Sequence, residues 1–543
     1  MEMNDVLLLS DDKTTVLSVN DYYVESVIIP DCVTEIGSKA FDGCRLLKNI
    51  VIPDSVTKIG ERAFRWCKSL KRVDIPDSVT KIGDDAFSCC FSLNSINVAV
   101  NNSKYKSIDG VLFNNELTFI ICFPNNHNNT TYTIPNSVTE IGESAFGGCE
   151  SLRSIDIPNS VTEIRNDTFG GCISLKDIVI PNSITKIGKW AFYGCKSLES
   201  IDIPDSVIEI GDAAFRDCSS LKSIDIPYGI TKIGAQAFRG CRSLKSIDIP
   251  NSVIEIGGCV CCGCDALECI NVVGNNFVYK SAEGVLYDKK MTSIICLLKH
   301  NNTSFVIPDS VTKICQGAFC KCAFLNSIDI PNSVTKIGDL AFNECSSLES
   351  VDIPNSVTEI GEMAFGGCSS LESIDIPNSV TKIGDMAFFE CSSLMRIVIP
   401  NTVTEIDGAF YECSSLISIV IPNSVTKIGG WAFKECSSLK SIDIPNSVTE
   451  IGEMAFDGCS SLESVDIPKS VIQIGNNAFS GCCALKNIII RCKNIENVAV
   501  AQDAFVDVDF NECVLHIPSG TRWAYRHHPI FGKFKNIVTE RFD

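Results

Sequence analysis

The stretch that decides the fold runs from Ile376 to Pro400 and reads IPNSVTKIGDMAFFECSSLMRIVIP. It begins and ends on Ile-Pro, and that dipeptide occurs eighteen times, with prolines from Pro30 to Pro518. Thirteen of the seventeen intervals between successive prolines are 23 residues and one is 22; the long ones are 59, 58 and 50. Self-similarity at a short fixed period marks a solenoid, in which each unit contacts only its neighbours. The 543 residues therefore read as one repeat array, not as the three or four globular domains that length alone suggests.

Counted from each proline, the recurring apolar positions are Val at +3, Ile at +6, Ala at +10, Phe at +11, Cys at +14, Leu at +17 and Ile at +20 and +22. The last pair alternates with polar residues, so Ser-Ile-Asp-Ile is a short strand with its isoleucines inward. Proline ends it, Asn-Ser turns the chain, and Val-Thr-x-Ile is a second extended piece. The glycine at +7 is expected to take positive φ. The segment from +8 to +16 fits a turn or two of helix. Phe fills +11 in 16 of the 17 coils from Pro30 to Pro468, allowing for a one-residue deletion before Phe410. A single coil cannot bury this face, so stacked coils must cover it with parallel strands about 4.8 Å apart. The expected fold is α/β: a right-handed solenoid with a parallel sheet on its concave face and short helical turns and extended segments on its convex face. About twenty rungs imply a curved rod roughly 100 Å long.

The repeat pattern IPxSVTxIGxxAFxxCxSLxSIxIP resembles the BspA-like class of leucine-rich repeat proteins over roughly residues 22 to 490. The long intervals match as well. YKSIDGVLFNNELTFIICFP (Tyr105 to Pro124) and YKSAEGVLYDKKMTSIICLL (Tyr279 to Leu298) resemble that family's hairpin inserts, each reading as two strands around Asn114-Asn115 or Asp288-Lys289. The tail from Cys513 to Glu540 is similar to the C-terminal cap of bacterial members, and Arg522 to His528 can form a helix covering the last coil. The expected organisation is a capping segment at 1–29, a leucine-rich repeat solenoid at 30–490 with inserts at about 98–133 and 272–306, and a last coil and cap at 491–543. The resemblance implies a non-enzymatic binding protein, often a surface adhesin for host or matrix proteins.

Charge narrows the partners. Forty-six basic and 66 acidic residues give a net charge of −20. That balance argues against nucleic acid, which needs a basic face. No apolar run reaches the roughly 18 residues of a transmembrane helix, so membrane insertion is not expected. The N-terminus, MEMNDVLLLSDDKTT, lacks the basic region and apolar run of an export signal. Absence of such a signal and the many cysteines point to the cytoplasm; the family resemblance points to the cell surface or secretion.

Seventeen of the 30 cysteines occupy +14, from Cys44 to Cys482. Flanked by core Phe and Leu in every coil, they read as a ladder of small buried thiols. Cys259, Cys261, Cys262, Cys264 and Cys269 form a denser group with two C-x-x-C spacings, which nominates the first four as weak ligands for a metal or as a redox centre. Against that, Cys264 belongs to the ladder and Cys261 fills a Phe slot, so both point to the core. Cys315, Cys320 and Cys322 form a lesser group, Cys315 replacing the usual glycine. His527 and His528 read as exposed cap residues. Phosphate-cradling loops, nucleophile elbows and H-E-x-x-H motifs are absent from the sequence, so neither catalysis nor a cofactor is expected.

Two columns nominate a binding surface. The outward +21 slot is Asp in ten coils. Asp202, Asp225 and Asp248 form one unbroken run and Asp329, Asp352 and Asp375 another. Such a column is either a solvated face multiplied by duplication or an acidic trough for a protein partner with a basic segment, with Lys222 and Lys245 placed to relieve repulsion. At +9 the later coils carry Leu340, Met363, Met386, Trp431 and Met454. If exposed, this stripe is a docking or self-association surface; if tucked under the next coil, it is packing. The +5 slot alternates Lys and Glu from Lys336 to Glu450, which fixes register between rungs. The leading expectation is a protein-binding platform in adhesion, acting through the concave face. The alternatives are an intracellular scaffold and, less favoured, a thiol-based site at Cys259–Cys269.

Overall fold

The computed structural model describes residues 6–298 and 303–542. Residues 1–5 of the expected N-terminal cap and 299–302 of the second insert lie outside the described residues. The chain divides into two compact units, Met1–Tyr279 and Lys280–Asp543, each a run of stacked coils.

The coil quoted above shows how sequence becomes structure. Val380, Ile383, Ala387, Phe388, Cys391, Leu394, Ile397 and Ile399 are all buried. Two short parallel ladders frame them. On one side Ser373–Asp375 pairs in register with Arg396–Val398, bringing Ile374 beside Ile397. On the other, Lys382–Ile383 pairs with Glu359–Ile360, so Lys382 stands beside Glu359. The same pairing places Lys336 beside Glu359, with their charged atoms 2.6 Å apart. The alternating +5 charges thus match the register, as expected. In the second unit the strand ladder extends without interruption through an 11-stranded sheet, from Ser304–Val306 to Asn536–Glu540.

The recurring polar letters of the repeat also bond between coils. Ser356 Oγ donates to the Val334 carbonyl at 2.6 Å and Thr381 Oγ1 to the Thr358 carbonyl at 3.3 Å. Each ladder cysteine from Cys67 onward that follows a regular coil donates its thiol to the Phe carbonyl of the preceding coil, as Cys391 does to Phe365 at 3.2 Å. Buried carbonyls have a second lone pair, and a small weak donor satisfies it without displacing packing. Burial pushes the thiols of Cys172, Cys368 and Cys413 up to about 12, so they stay protonated.

Two local expectations are corrected. The segment from +8 to +16 is not helical; among the described residues the one α-helix is Arg522–His527. Positions +9 and +13 both have positive φ, as in Met386 (52°) and Glu390 (55°), and a right-handed helix cannot hold either. These reversals aim alternate peptide N–H groups along the stack. Met363, Phe365 and Gly367 donate to Asp385, Ala387 and Phe389 of the next coil, while Ala364, Gly366 and Cys368 close turns onto Gly361, Met363 and Phe365. A helix would have turned the later of these donors inward, onto carbonyls four residues back, and left them nothing to give the next coil.

The +7 glycine does not have positive φ either. Its requirement is steric: a Cβ on Gly384 would lie 2.4 Å from the Glu362 nitrogen and the Gly361 carbonyl carbon of the preceding coil. Where an insert precedes the coil, the constraint relaxes. The nearest atom to a Cβ on Gly142 is the Ile120 carbonyl oxygen at 3.2 Å. Cys315 occupies the equivalent slot after the second insert and donates its N–H to the Ile294 carbonyl.

The phenylalanines stack. From Phe319 through Phe342, Phe365, Phe388, Phe410, Phe433, Phe456 and Phe479 to Phe505, neighbouring rings lie 4.9–5.7 Å apart and within 11° of parallel. Phe505 extends the run beyond the regular repeat. In the first unit Phe123, from the insert, starts a second run ending at Phe238, where Cys261 takes the following slot. That insert has three strands rather than two, Tyr105–Ile108, Val111–Asn114 and Phe119–Cys122, the last joining the parallel ladder at Glu140–Ile141. The ends are closed by paired elements. Leu7–Leu9 pairs antiparallel with Thr15–Val19. At the other end Tyr525 is fully buried, its hydroxyl donating to the Cys492 carbonyl at 2.7 Å, and Phe531 packs edge-on against Phe505.

Candidate functional site

Strand alternation builds the outward face. In Ser200–Asp202, Ser223–Asp225, Ser327–Asp329, Ser350–Asp352 and Ser373–Asp375 the isoleucine or valine is buried and the flanking Ser and Asp are exposed. Asp202 is the register partner of Asp225, and Asp352 of Asp375, so like charges repeat at rung spacing, about 4.8 Å.

Compensation is partial and falls at the edges of the runs. Arg72 pairs with Asp74 at 2.8 Å and Arg491 grips Asp466 at 2.6 Å, while the Asn271 amide donates to Asp248 at 2.8 Å. Lys222, expected to relieve the column, is engaged by Glu199 at 2.6 Å instead. Among the described residues no ion pair reaches Asp202, Asp225, Asp329, Asp352, Asp375 or Asp443. These exposed carboxylates give the face a negative potential that the chain itself leaves uncompensated.

In the second unit the acidic column is interrupted by an apolar window that the sequence reading did not assemble. Val398 and Val420 hold the +21 slot and are 59% and 67% exposed; Met395 and Ile417, just before the same strands, are 43% exposed each. Ile417 donates its N–H to the Met395 carbonyl, which ties the two rungs together. The available signal was the +18 column, where these two coils alone among seventeen carry an apolar residue.

The +9 residues divide between both expectations. Leu340, Met363, Met386 and Met454 are half-buried, and Trp431 is exposed. Trp431 lies 6.4 Å from Tyr411, which lies 5.0 Å from Phe389, so the stripe is the edge of an aromatic ridge. Cys259, Cys261, Cys262 and Cys264 are buried, and Cys264 donates to the Phe238 carbonyl at 3.0 Å as a ladder member. Among the described residues no group of three or more His, Cys, Asp or Glu is placed to hold a metal ion. His527 is exposed, whereas His528 is half-buried and its imidazole is shifted below its usual range by that burial. No helix among the described residues is long and apolar enough to cross a membrane.

Stacked coils with a regular outward strand face define a leucine-rich repeat protein, a class whose members present such faces to other proteins. The BspA type Leucine rich repeat region (6 copies) matches residues 19–121, 120–208, 162–292, 295–409 and 407–521, and the chain belongs to that family. Among solved structures it is similar to a leucine-rich repeat protein from Bacteroides ovatus, at 30% identity over 82% of this chain and 92% of that one, with a TM-score of 0.35. It is also similar to a leucine rich cell surface protein from Faecalibacterium prausnitzii, at 25% identity over 89% and 92%, TM-score 0.25. The pneumococcal vaccine antigen PcpA is 20% identical over 81% and 96%, TM-score 0.37. No curated protein matches the chain.

Proposed function

We propose that this protein is a non-enzymatic adhesion platform that recognises host or matrix proteins through the outward strand face, taking basic segments against its aspartate columns. The observation that carries the reading is the set of exposed carboxylates at Asp202, Asp225, Asp329, Asp352 and Asp375 with no cation of this chain against them. A partner lysine or arginine beside such a column gains from several charges at once. In the second unit the window at Met395, Val398, Ile417 and Val420 adds an apolar centre between acidic flanks, so the segment that fits there is basic at both ends and apolar in the middle. Membership of a family with cell-surface relatives supports the adhesion reading.

The test uses a fluorescein-labelled peptide of alternating lysine and serine and fluorescence anisotropy on the full chain. Changing Asp202, Asp225 and Asp248 together to Asn, or Asp329, Asp352 and Asp375 together, is expected to weaken binding about tenfold, or about 1.4 kcal/mol, and to flatten its salt dependence. Unchanged affinity in both triple variants sinks the reading. Fractionation of source cells separates adhesin from intracellular scaffold: a strictly cytosolic protein is the scaffold.

A further inference from the structure

A cavity of about 700 Å³ lies on the turn side of the first unit, away from the strand face. Its origin is a local loss of side chains. In the coils that begin at Pro135 and Pro158 the +12 and +13 slots are Gly147-Gly148 and Gly170-Gly171, and the next coil has Gly194 at +13. A Cβ on Gly171 would meet only the Gly148 backbone, at 3.4 Å, and one on Gly194 only that of Gly171, at 3.9 Å. Three successive rungs therefore present bare backbone as the floor of a groove.

The walls are aromatic. Trp66 holds the same +13 slot two regular coils before the first insert, and its ring meets Phe91 edge-on at 5.6 Å. Phe91 in turn reaches to 3.0 Å from the place of a Cβ on Gly148, so the rings run directly onto the glycine floor. Tyr193 lines the groove further along. Trp66 and Tyr193 are 38% and 40% exposed; Lys68 Nζ lies 5.2 Å over the Trp66 ring and the Arg216 guanidinium 5.8 Å over that of Tyr193, so each ring has one face without a cation.

The polar groups are few and of mixed sign. Asp167 lies in the groove with Oδ2 accepting from Ser144 Oγ at 3.1 Å; its Oδ1 would be 1.8 Å from a Cβ on Gly170, so that glycine is what gives the carboxyl its place. Glu150, Asp217, Ser219, Lys196 and Arg242 complete the lining. The floor is no anion cradle despite its glycines. Gly148 N–H donates to Gly170, Gly171 N–H to Tyr193 and Gly194 N–H to Arg216, so those donors are consumed between coils.

We infer that this groove binds a short neutral oligosaccharide. Sugar rings present C–H faces that stack on Trp66 and Tyr193. Their hydroxyls both donate and accept, which suits a lining that offers carboxylates, a hydroxyl and two cations together. The volume is in the range of ligand clefts, about 300–1,000 Å³. The site is independent of the aspartate columns and adds a second kind of ligand to the protein.

The experiment is calorimetric titration of the full chain with cellotriose, maltotriose and triacetylchitotriose. One of the three is expected to bind saturably. Gly171→Asn fills the floor and is expected to weaken it at least about tenfold, as is Trp66→Ala. The asparagine is tolerable because Asp217 and Glu344 hold the equivalent +13 slot at φ of 60° and 57°; an unaltered thermal melt verifies that. The Asp202, Asp225, Asp248 triple variant is expected to retain full sugar affinity, which separates this inference from the platform reading. Absence of binding by all three sugars, or binding that survives Gly171→Asn, overturns it.

Discussion

Gly384 and Gly142 occupy the same slot of the repeat and meet different neighbours. A methyl group on Gly384 collides with fixed backbone at 2.4 Å, whereas on Gly142 it meets a carbonyl oxygen at 3.2 Å. Gly384→Ala is therefore expected to destabilise the second unit by about 2–3 kcal/mol, and Gly142→Ala the first by less than about 1 kcal/mol. Denaturant melts of the full chain decide it, and equal losses would refute the steric account. Asp167 offers a pH handle. Burial raises its carboxyl to about 6 from 3.8, with Asp85 and Glu143 adding to the shift and the Ser144 hydrogen bond opposing it. The folded protein then holds a proton that the unfolded chain has released between about pH 4 and 6, so stability falls as pH rises through that window. Asp167→Asn is expected to remove this part of the slope and to add about 3 kcal/mol at pH 7. Melts of both proteins from pH 4.5 to 7.5 provide the check, the difference between them isolating this carboxyl from the general acidic charge.

At the scale of the strand and turn, the aspartate column is a cost to folding that salt screens. Register pairs such as Asp202 with Asp225 repel by about 1 kcal/mol in a water-like dielectric. Asp225→Asn is expected to raise stability by about that amount at low salt, the gain fading as ionic strength grows. A salt-independent gain would show that something other than repulsion was relieved. The strand ladders, the buried slots and the thiol column were legible in one coil because each apolar letter has a single inward direction once the period is known. The turns were not. Ala-Phe with a cysteine three residues later also satisfies a helical face; what excludes the helix is a hydrogen-bond demand from the neighbouring coil, visible only when Met363 is seen donating to Asp385. The +7 glycine's own backbone likewise gives no sign of its reason, which lies 22 residues earlier, at Glu362 for Gly384, in the coil against it. For the candidate site, the aspartates were legible as a column. The window at Met395 and Ile417 and the glycine groove were not, since both arise from neighbouring rungs sharing a substitution.

For the whole chain, the ends carry the stability of what lies between. In the second unit Tyr525, Phe531 and the strand Asn536–Glu540 close the stack. Tyr525→Ala removes a fully buried ring and its bond to Cys492, a loss of about 3–5 kcal/mol. Because coils contact only their neighbours, hydrogen exchange is expected to rise first in Val514–Pro518 and Asn536–Glu540 and then coil by coil inward, leaving the first unit protected. Uniform deprotection of both units would contradict a nearest-neighbour array. The near-parallel phenylalanines have an optical consequence for such experiments. Nine rings from Phe319 to Phe505, held at almost constant spacing and tilt, form a chiral chromophore array whose transitions couple along its length. Its near-ultraviolet circular dichroism should dwindle stepwise as rungs are lost, so the core itself serves as a built-in gauge of how many coils remain stacked.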